Sequence, residues 1–244
     1  MQLKEASILL VDDEPILLEI MAEWFQRLAG RVFCAADGAQ ALQVLAARKI
    51  DLVITDVRMP VMDGISLLKE IKAKRGHAPG VILVTGFADI QLRDAFDSGA
   101  EALLEKPIEN DDLIRAVERS LLERDELWQT PRGVSAYPVL SRKFASLAAA
   151  FEQHRIAFGR GGFCIEAGDL PEEGPVNIEL DFIADGYVLS GQGVVRWLAH
   201  KENQAGIELT YVAERSLSRA LQLTAAAASF IPSTTESKYQ ALAG

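Results

Sequence analysis

The chain of 244 residues is long enough for two domains of ordinary size, each with its own core. Its formal net charge is -10, with 14 Lys+Arg against 21 Asp+Glu in residues 1–123 and 11 against 14 in the remainder. Neither half offers the basic face that nucleic-acid phosphates demand, which argues against DNA binding, and no run of about eighteen apolar residues argues for membrane insertion. The opening MQLKEASILLVDDE is not a signal-peptide pattern, because charges flank a run that reads as a first strand, so a cytoplasmic location is expected. Cys34 and Cys164 fall in apolar segments of different halves and are expected to be reduced, buried thiols. His77, His154 and His200 are scattered and suggest no ligand cluster.

Along the first half, short apolar runs alternate with stretches of helical period. The run SILLV ends in Asp12 and Asp13, LVIT in Asp56, VILV in Thr85, and ALLE in Lys106. Between them, Leu17, Met21, Trp24 and Leu28 share a helix face after Pro15, which suits a first turn. Ala41, Leu42 and Leu45 form a second stripe, and Ile65, Leu68 and Ile71 a third. The alternation predicts an α/β doubly wound parallel sheet, in which ligands bind beyond the carboxyl ends of the strands. Three carboxylates, a hydroxyl and an ammonium would then meet in one crevice. Neighbouring carboxylates repel unless a cation intervenes, and a hard divalent ion with oxygen ligands, most naturally Mg2+, would relieve them. Asp56 would be free to accept a phosphoryl group as an aspartyl phosphate, with Lys106 neutralising the transferred oxygens. The plain alternative, ordinary solvated loop residues, fits any one position but not four strand ends in this order.

From Asp111, the pattern Leu113, Ile114, Val117 and Leu121, with Leu127 and Trp128 beyond, predicts a last helix that overruns the domain and stops near Thr130-Pro131. A rigid connector and a short dimerising coil are both open readings of that overrun, and with them a homodimer. After Gly133 the chain changes to short strands. Asn177 to Phe182 alternates strictly, Ala184-Asp185-Gly186 is a hairpin-type turn, and Tyr187 to Trp197 follows as a second strand. Phe163-Cys164-Ile165 and Ile207 to Tyr211 add two more, which predicts a small antiparallel β-barrel closed by a helix from about Ser216 through Ala228. The expected domains are 1–123, a helical linker over 124–134, a barrel over 135–228, and a flexible tail over 229–244.

The motifs LLVDDEP, ITDVRMPVMDG, VTGFAD and EKP, in this order, resemble the receiver domain of two-component response regulators over about half the chain. The resemblance implies a flavodoxin-like five-stranded parallel sheet of order 2-1-3-4-5 and a regulatory module, not an enzyme. It implies that Asp56 is the phosphoacceptor, and that Asp12, Asp13, Asp56 and the backbone carbonyl of Arg58 hold Mg2+. Thr85 is then the switch hydroxyl, Lys106 its phosphate-contacting partner, and Lys106-Pro107 a cis bond. The phosphoryl donor would be a sensor histidine kinase or a phosphotransfer protein. Receivers usually carry an aromatic residue three positions before the lysine; Leu103 stands there, a departure that leaves transmission through the fourth helix and fifth strand open.

The second half is similar to a PilZ domain over roughly residues 135 to 225. The likeness rests on Gly161 to Glu166, Gly168-Asp169-Leu170-Pro171, Gly193 to Trp197, Gly206 to Leu209 and Leu217 to Leu221. That family is best known for binding cyclic di-GMP through an Arg-x-x-x-Arg pair ahead of the barrel and a second motif of Asp or Asn, any residue, Ser, two residues, Gly. Here the second motif falls on Ala157 to Gly162 and keeps only its last glycine. Arg-x-x-x-Arg occurs at Arg27/Arg31, Arg115/Arg119 and Arg215/Arg219, all three in the wrong place for that use. The cations upstream of Gly161 are Arg132, Arg142, Lys143, Arg155 and Arg160. Arg142, Lys143, Arg155, Arg160 and Gly162 are the candidate dinucleotide contacts, against a plain reading of solvated charges. A docking role toward a downstream protein is the favoured expectation, and a cyclic di-GMP receptor the alternative.

Overall fold

The computed structural model describes residues 2–73, 78–86, 89–129, 137–171, 173–225 and 227–233. The chain divides into two compact units, Met1–Glu123 and Arg124–Gly244.

In the first unit, strands β1 (Ser7–Val11), β2 (Arg31–Ala35), β3 (Leu52–Asp56), β4 (Gly80–Thr85) and β5 (Ala102–Glu105) form a parallel sheet of order β2-β1-β3-β4-β5. Crossover helices α1 (Pro15–Gln26), α2 (Gly38–Ala47), α3 (Gly64–Ala73), α4 (Leu92–Asp97) and α5 (Asn110–Leu121) connect or follow the strands. The central strands β1 and β3 are buried throughout, as a sheet covered on both faces requires. Alternation then sorts their side chains. Leu9, Val11, Val53 and Leu83 enter one core, whereas Ile8, Leu10, Ile54 and Val84 enter the other with Phe25, Leu113 and Val117. The start of α3 presses on the end of β3: a Cβ on Gly64 would lie 2.0 Å from the Asp56 backbone oxygen, so only glycine fits.

The second unit opens with α6 (Arg124–Leu127) and contains β6 (Val139–Phe144), α7 (Leu147–Gln153), β7 (Ala157–Phe158), β8 (Gly162–Glu166), β9 (Gly174–Phe182), β10 (Tyr187–Ala199), β11 (Gln204–Val212) and α8 (Glu214–Thr224). Its sheet has the order β6-β9-β10-β11-β8-β7. Val176, Ile178, Leu180 and Phe182 of β9 are buried, and Asn177, Glu179 and Asp181 alternate with them. Phe182 stacks between Phe144, at 5.4 Å, and Tyr187, at 5.6 Å between ring centroids.

Several features differ from the sequence reading. The sheet is mixed, not antiparallel: β6 pairs parallel with β9, because α7, β7 and β8 intervene and carry the chain across, and no pairing joins β6 to β7 among the described residues. The linker reading of 124–134 fails at Trp128. Helix α5 ends at Leu121, Leu122 is extended, and Trp128 is fully buried in the second core, where its indole N–H donates to the Leu209 carbonyl at 3.1 Å and its carbonyl accepts from Val212 N–H at 2.9 Å. Residues 130–134, with Thr130-Pro131 and Arg132, lie outside the described residues.

Residues 229–233 are also not a free tail, and α8 ends at Thr224 instead of Ala228. Phe230 and Ile231 are buried, the Ser229 and Phe230 carbonyls accept from Arg160 and Gly161 N–H at 2.8 Å each, and the Phe230 ring covers Gly161. Residues 234–244 lie outside the described residues. Finally, Cys34 is exposed on the edge strand β2, whereas Cys164 is buried; His77 lies outside the described residues.

Trp128→Ala should lower the unfolding free energy of the second unit by about 3–5 kcal/mol, since it removes a large core side chain and a buried hydrogen bond. Denaturant unfolding checks this, with the first unit's transition unchanged; a loss below about 1 kcal/mol contradicts the placement of Trp128 in that core.

Candidate functional site

The carboxyl ends of β1, β3, β4 and β5 converge as an open parallel sheet dictates. Asp12 follows β1, Asp56 ends β3, Thr85 ends β4, and Lys106 follows β5. Asp12, Asp56 and Thr85 are buried, while Asp13 is exposed. The Lys106 ammonium lies 2.5 Å from Asp56 Oδ1 and 3.0 Å from Asp12 Oδ2, with Glu14 Oε1 at 4.0 Å. The other Asp56 oxygen, Oδ2, accepts from the Arg58 backbone N–H at 2.7 Å. Asp12 Oδ1 accepts from the Glu14 backbone N–H at 2.8 Å. The Lys106-Pro107 peptide is cis, and the Lys106 N–H donates to the Thr85 carbonyl at 2.7 Å, which ties the ends of β4 and β5 together.

Burial pushes the Asp56 carboxyl above its ordinary pKa, and the charge on Asp12 adds to this; the hydrogen bond and charge of Lys106 oppose it only in part. For Lys106 burial works the other way, but hydrogen bonds to Asp56 and Asp12 outweigh it and hold the ammonium above its usual range. The site is therefore short of positive charge. All its acidic donors are oxygens, the set a hard divalent ion prefers. Among the described residues, no three acidic, histidine or cysteine side chains already stand in a metal-holding arrangement, since Asp12 and Asp56 close on Lys106 and Asp13 faces outward.

Two residues in the neighbourhood escaped the sequence reading in their side-chain roles. The Thr85 hydroxyl donates to Asp89 Oδ2 at 3.0 Å, and Asp89 forms an ion pair with the Arg58 guanidinium. A cleft of about 450 Å3 opens beside them, lined by Asp13, Val57, Arg58, Met59, Pro60 and Asp63 among others. The four-residue spacing of Thr85 and Asp89 in VTGFAD was the available signal. Leu103 packs, half-buried, against the core that contains Leu83 and Ala95.

The candidate dinucleotide contacts are not gathered into one site. Arg142 and Lys143 are successive residues of β6 and so point to opposite faces, with Arg142 reaching Gly168 and Lys143 in register with Asp181. Arg155, at φ 50°, precedes β7, and its carbonyl accepts from the Cys164 thiol at 3.9 Å. The Arg160 guanidinium donates to the Ala228 carbonyl at 3.3 Å. Gly162 has a packing reason to be glycine: a Cβ there would lie 1.9 Å from the Ile207 carbonyl oxygen.

Comparison with known proteins agrees with this geometry. Residues 8–118 match the family described as the response regulator receiver domain, so the N-terminal unit is a receiver domain. Such domains are phospho-accepting regulatory modules and not catalytic enzymes. The chain is 36% identical over 130 residues to the transcriptional regulatory protein GlrR of Escherichia coli K12, covering 52% of this chain and 29% of GlrR. It is 33% identical over 116 residues to the transcriptional regulatory protein CrdR of Helicobacter pylori, covering 47% of this chain and 54% of CrdR. The chain thus spans about half or less of these curated relatives. Among solved structures, the signal receiver domain of an HD domain-containing protein from Pseudomonas fluorescens Pf-5 is similar at 34% identity and a TM-score of 0.45, covering 48% of this chain and 94% of that one. Among the described residues no helix is long and apolar enough to cross a membrane.

Lys106→Met should raise the Asp56 carboxyl pKa further, because the hydrogen bond and the charge that favour the carboxylate are gone. Asp12→Asn should move it down, since the Asp12 charge raises it. Carboxyl-carbon NMR in chelated, metal-free buffer reads both; an Asp56 titration unmoved in Lys106→Met contradicts the pairing.

Proposed function

We propose that this chain is a response regulator of a two-component phosphorelay, with Asp56 as phosphoacceptor and the second unit as its effector. The observation that carries the reading is the Asp56 carboxylate held between the Lys106 ammonium and the Arg58 amide at the end of β3. In the proposed step, an Asp56 oxygen attacks the phosphorus of a phosphohistidine on a sensor kinase or phosphotransfer protein. The P–N bond breaks, the leaving imidazole recovers a proton from solvent, and an aspartyl phosphate remains. Lys106 is already in place to pair with the transferred oxygens, and the Arg58 N–H orients the attacking carboxylate. Asp12, Asp13, Asp56 and the backbone carbonyl of Arg58 are the groups that would hold Mg2+. When bound, that ion supplies charge neutralisation on the phosphoryl group. Thr85 is the switch hydroxyl in this reading.

For the output we favour contact with a downstream protein through a PilZ-like second unit. GlrR and CrdR are named transcriptional regulators, but the alignments cover only part of each, and residues 124–244 are acidic overall. A cyclic di-GMP receptor is the weaker reading, because its candidate contacts lie on opposite faces of β6 and around a turn that residues 229–232 cover.

Incubation of the full chain with phosphoramidate and Mg2+ should give a shifted band on a phosphate-affinity gel, absent in Asp56→Asn. Equal labelling of the variant sinks the phosphoacceptor assignment. Calorimetric titration with cyclic di-GMP should show no saturable heat at high micromolar ligand; saturable binding would overturn the preference for a docking output.

A further inference from the structure

A continuous set of contacts runs from the phosphoacceptor to the switch hydroxyl, and it passes through one residue twice. The Arg58 backbone N–H donates to Asp56 Oδ2 at 2.7 Å, the Arg58 guanidinium pairs with Asp89, and Asp89 Oδ2 accepts the Thr85 hydroxyl at 3.0 Å. Thr85 is 2% exposed and the Asp89 side chain 6%, whereas the Arg58 side chain is 79% exposed at the edge of the cleft. The inner half of the pair is thus fixed by packing, and its outer half has room to leave. A hydroxyl that donates to a carboxylate makes one strong bond with its single proton, so Thr85 cannot at the same time donate toward Asp56.

The geometry points to Asp89 as a positioning residue: with Arg58, it is a latch that holds the Thr85 hydroxyl away from Asp56 until phosphorylation. The inference rests on the phosphoacceptor reading of Asp56 and adds the resting-state partner of the switch. Arg58 holds Asp89 Oδ1 while Oδ2 takes the Thr85 hydroxyl, and its own backbone is bonded to the carboxylate that becomes modified. Addition of a phosphoryl group at Asp56 disturbs that N–H contact and offers Thr85 a competing anionic acceptor. Thr85 then exchanges Asp89 Oδ2 for a phosphoryl oxygen. The resting and switched arrangements differ by one hydrogen bond, and a ligand or modification that favours one shifts the population accordingly.

The test compares wild type, Asp89→Ala, Asp89→Asn, Arg58→Ala, Thr85→Ala and the Asp89→Ala/Thr85→Ala double variant in the full chain. The readouts are the Thr85 methyl resonance before modification and the phosphorylation rate with phosphoramidate. Asp89→Ala should move the unmodified Thr85 resonance toward its position in phosphorylated wild type and raise the rate by about threefold or more. Asp89→Asn, which keeps an acceptor oxygen but not the charge, and Arg58→Ala should fall between. In the Thr85→Ala background the Asp89 substitution should change the rate by less than about twofold, since the hydroxyl it holds is gone. A Thr85 resonance unmoved by Asp89→Ala, or Asp89 and Thr85 effects that multiply independently, overturns the latch. Labelling of Asp56→Asn at the wild-type level would instead overturn the phosphoacceptor reading, so the two failures are distinct.

Discussion

One ammonium shared by two buried carboxylates organises the first unit. Lys106 reaches Asp56 at 2.5 Å and Asp12 at 3.0 Å only because the strand order places β3 between β1 and β4, with β5 beside β4. The backbone bond from Lys106 to Thr85 fixes where the lysine stem starts, and the absence of room for a side chain at Gly64 fixes how closely α3 approaches the end of β3. A single cation facing Asp12, Asp56 and Glu14 leaves net negative charge in a partly buried place. Burial is the first cause of the raised Asp56 pKa and the Asp12 charge adds to it, and the same unbalanced negative charge is what the proposed Mg2+ chemistry would use.

Strand-end positions were legible in the sequence because their signal is local and repeated. Each apolar run is short, each ends on a polar residue, and the parallel topology alone brings Asp12, Asp56, Thr85 and Lys106 together. What escaped was set by contacts distant in the chain. Trp128 reads as the tail of a helical stripe until its indole is found bonded to Leu209, 81 residues away. Strand β6 was missed because Arg142, on the face of Leu140 and Phe144, interrupts its alternation, and its parallel pairing with β9 depends on a crossover that no local pattern announces. Phe230 and Ile231 follow a run of alanines and look like the start of a tail, yet they close over a turn some seventy residues earlier.

In the second unit, packing accounts for the glycines before and at the start of β8. Gly159, Gly161 and Gly162 stand at a turn where the resemblance would put dinucleotide contacts, and the room their small size leaves is taken by Phe230, Pro232 and Ile207. The amides of Arg160 and Gly161 are bonded to the carbonyls of Ser229 and Phe230, so the donors are already satisfied within the chain. A glycine required by close approach of this kind supports a fold without supporting a ligand. The first unit therefore carries its chemistry in side chains, whereas the second is described by shape and by charge.

The central claim is that the phosphoryl group enters on Asp56. Phosphorylation with phosphoramidate, reduction of the acyl phosphate with borohydride and peptide mass spectrometry test it most directly. The account predicts homoserine at position 56 and nowhere else. Homoserine at Asp12 or Asp13, or unmodified aspartate at all three positions after complete reaction, would contradict it.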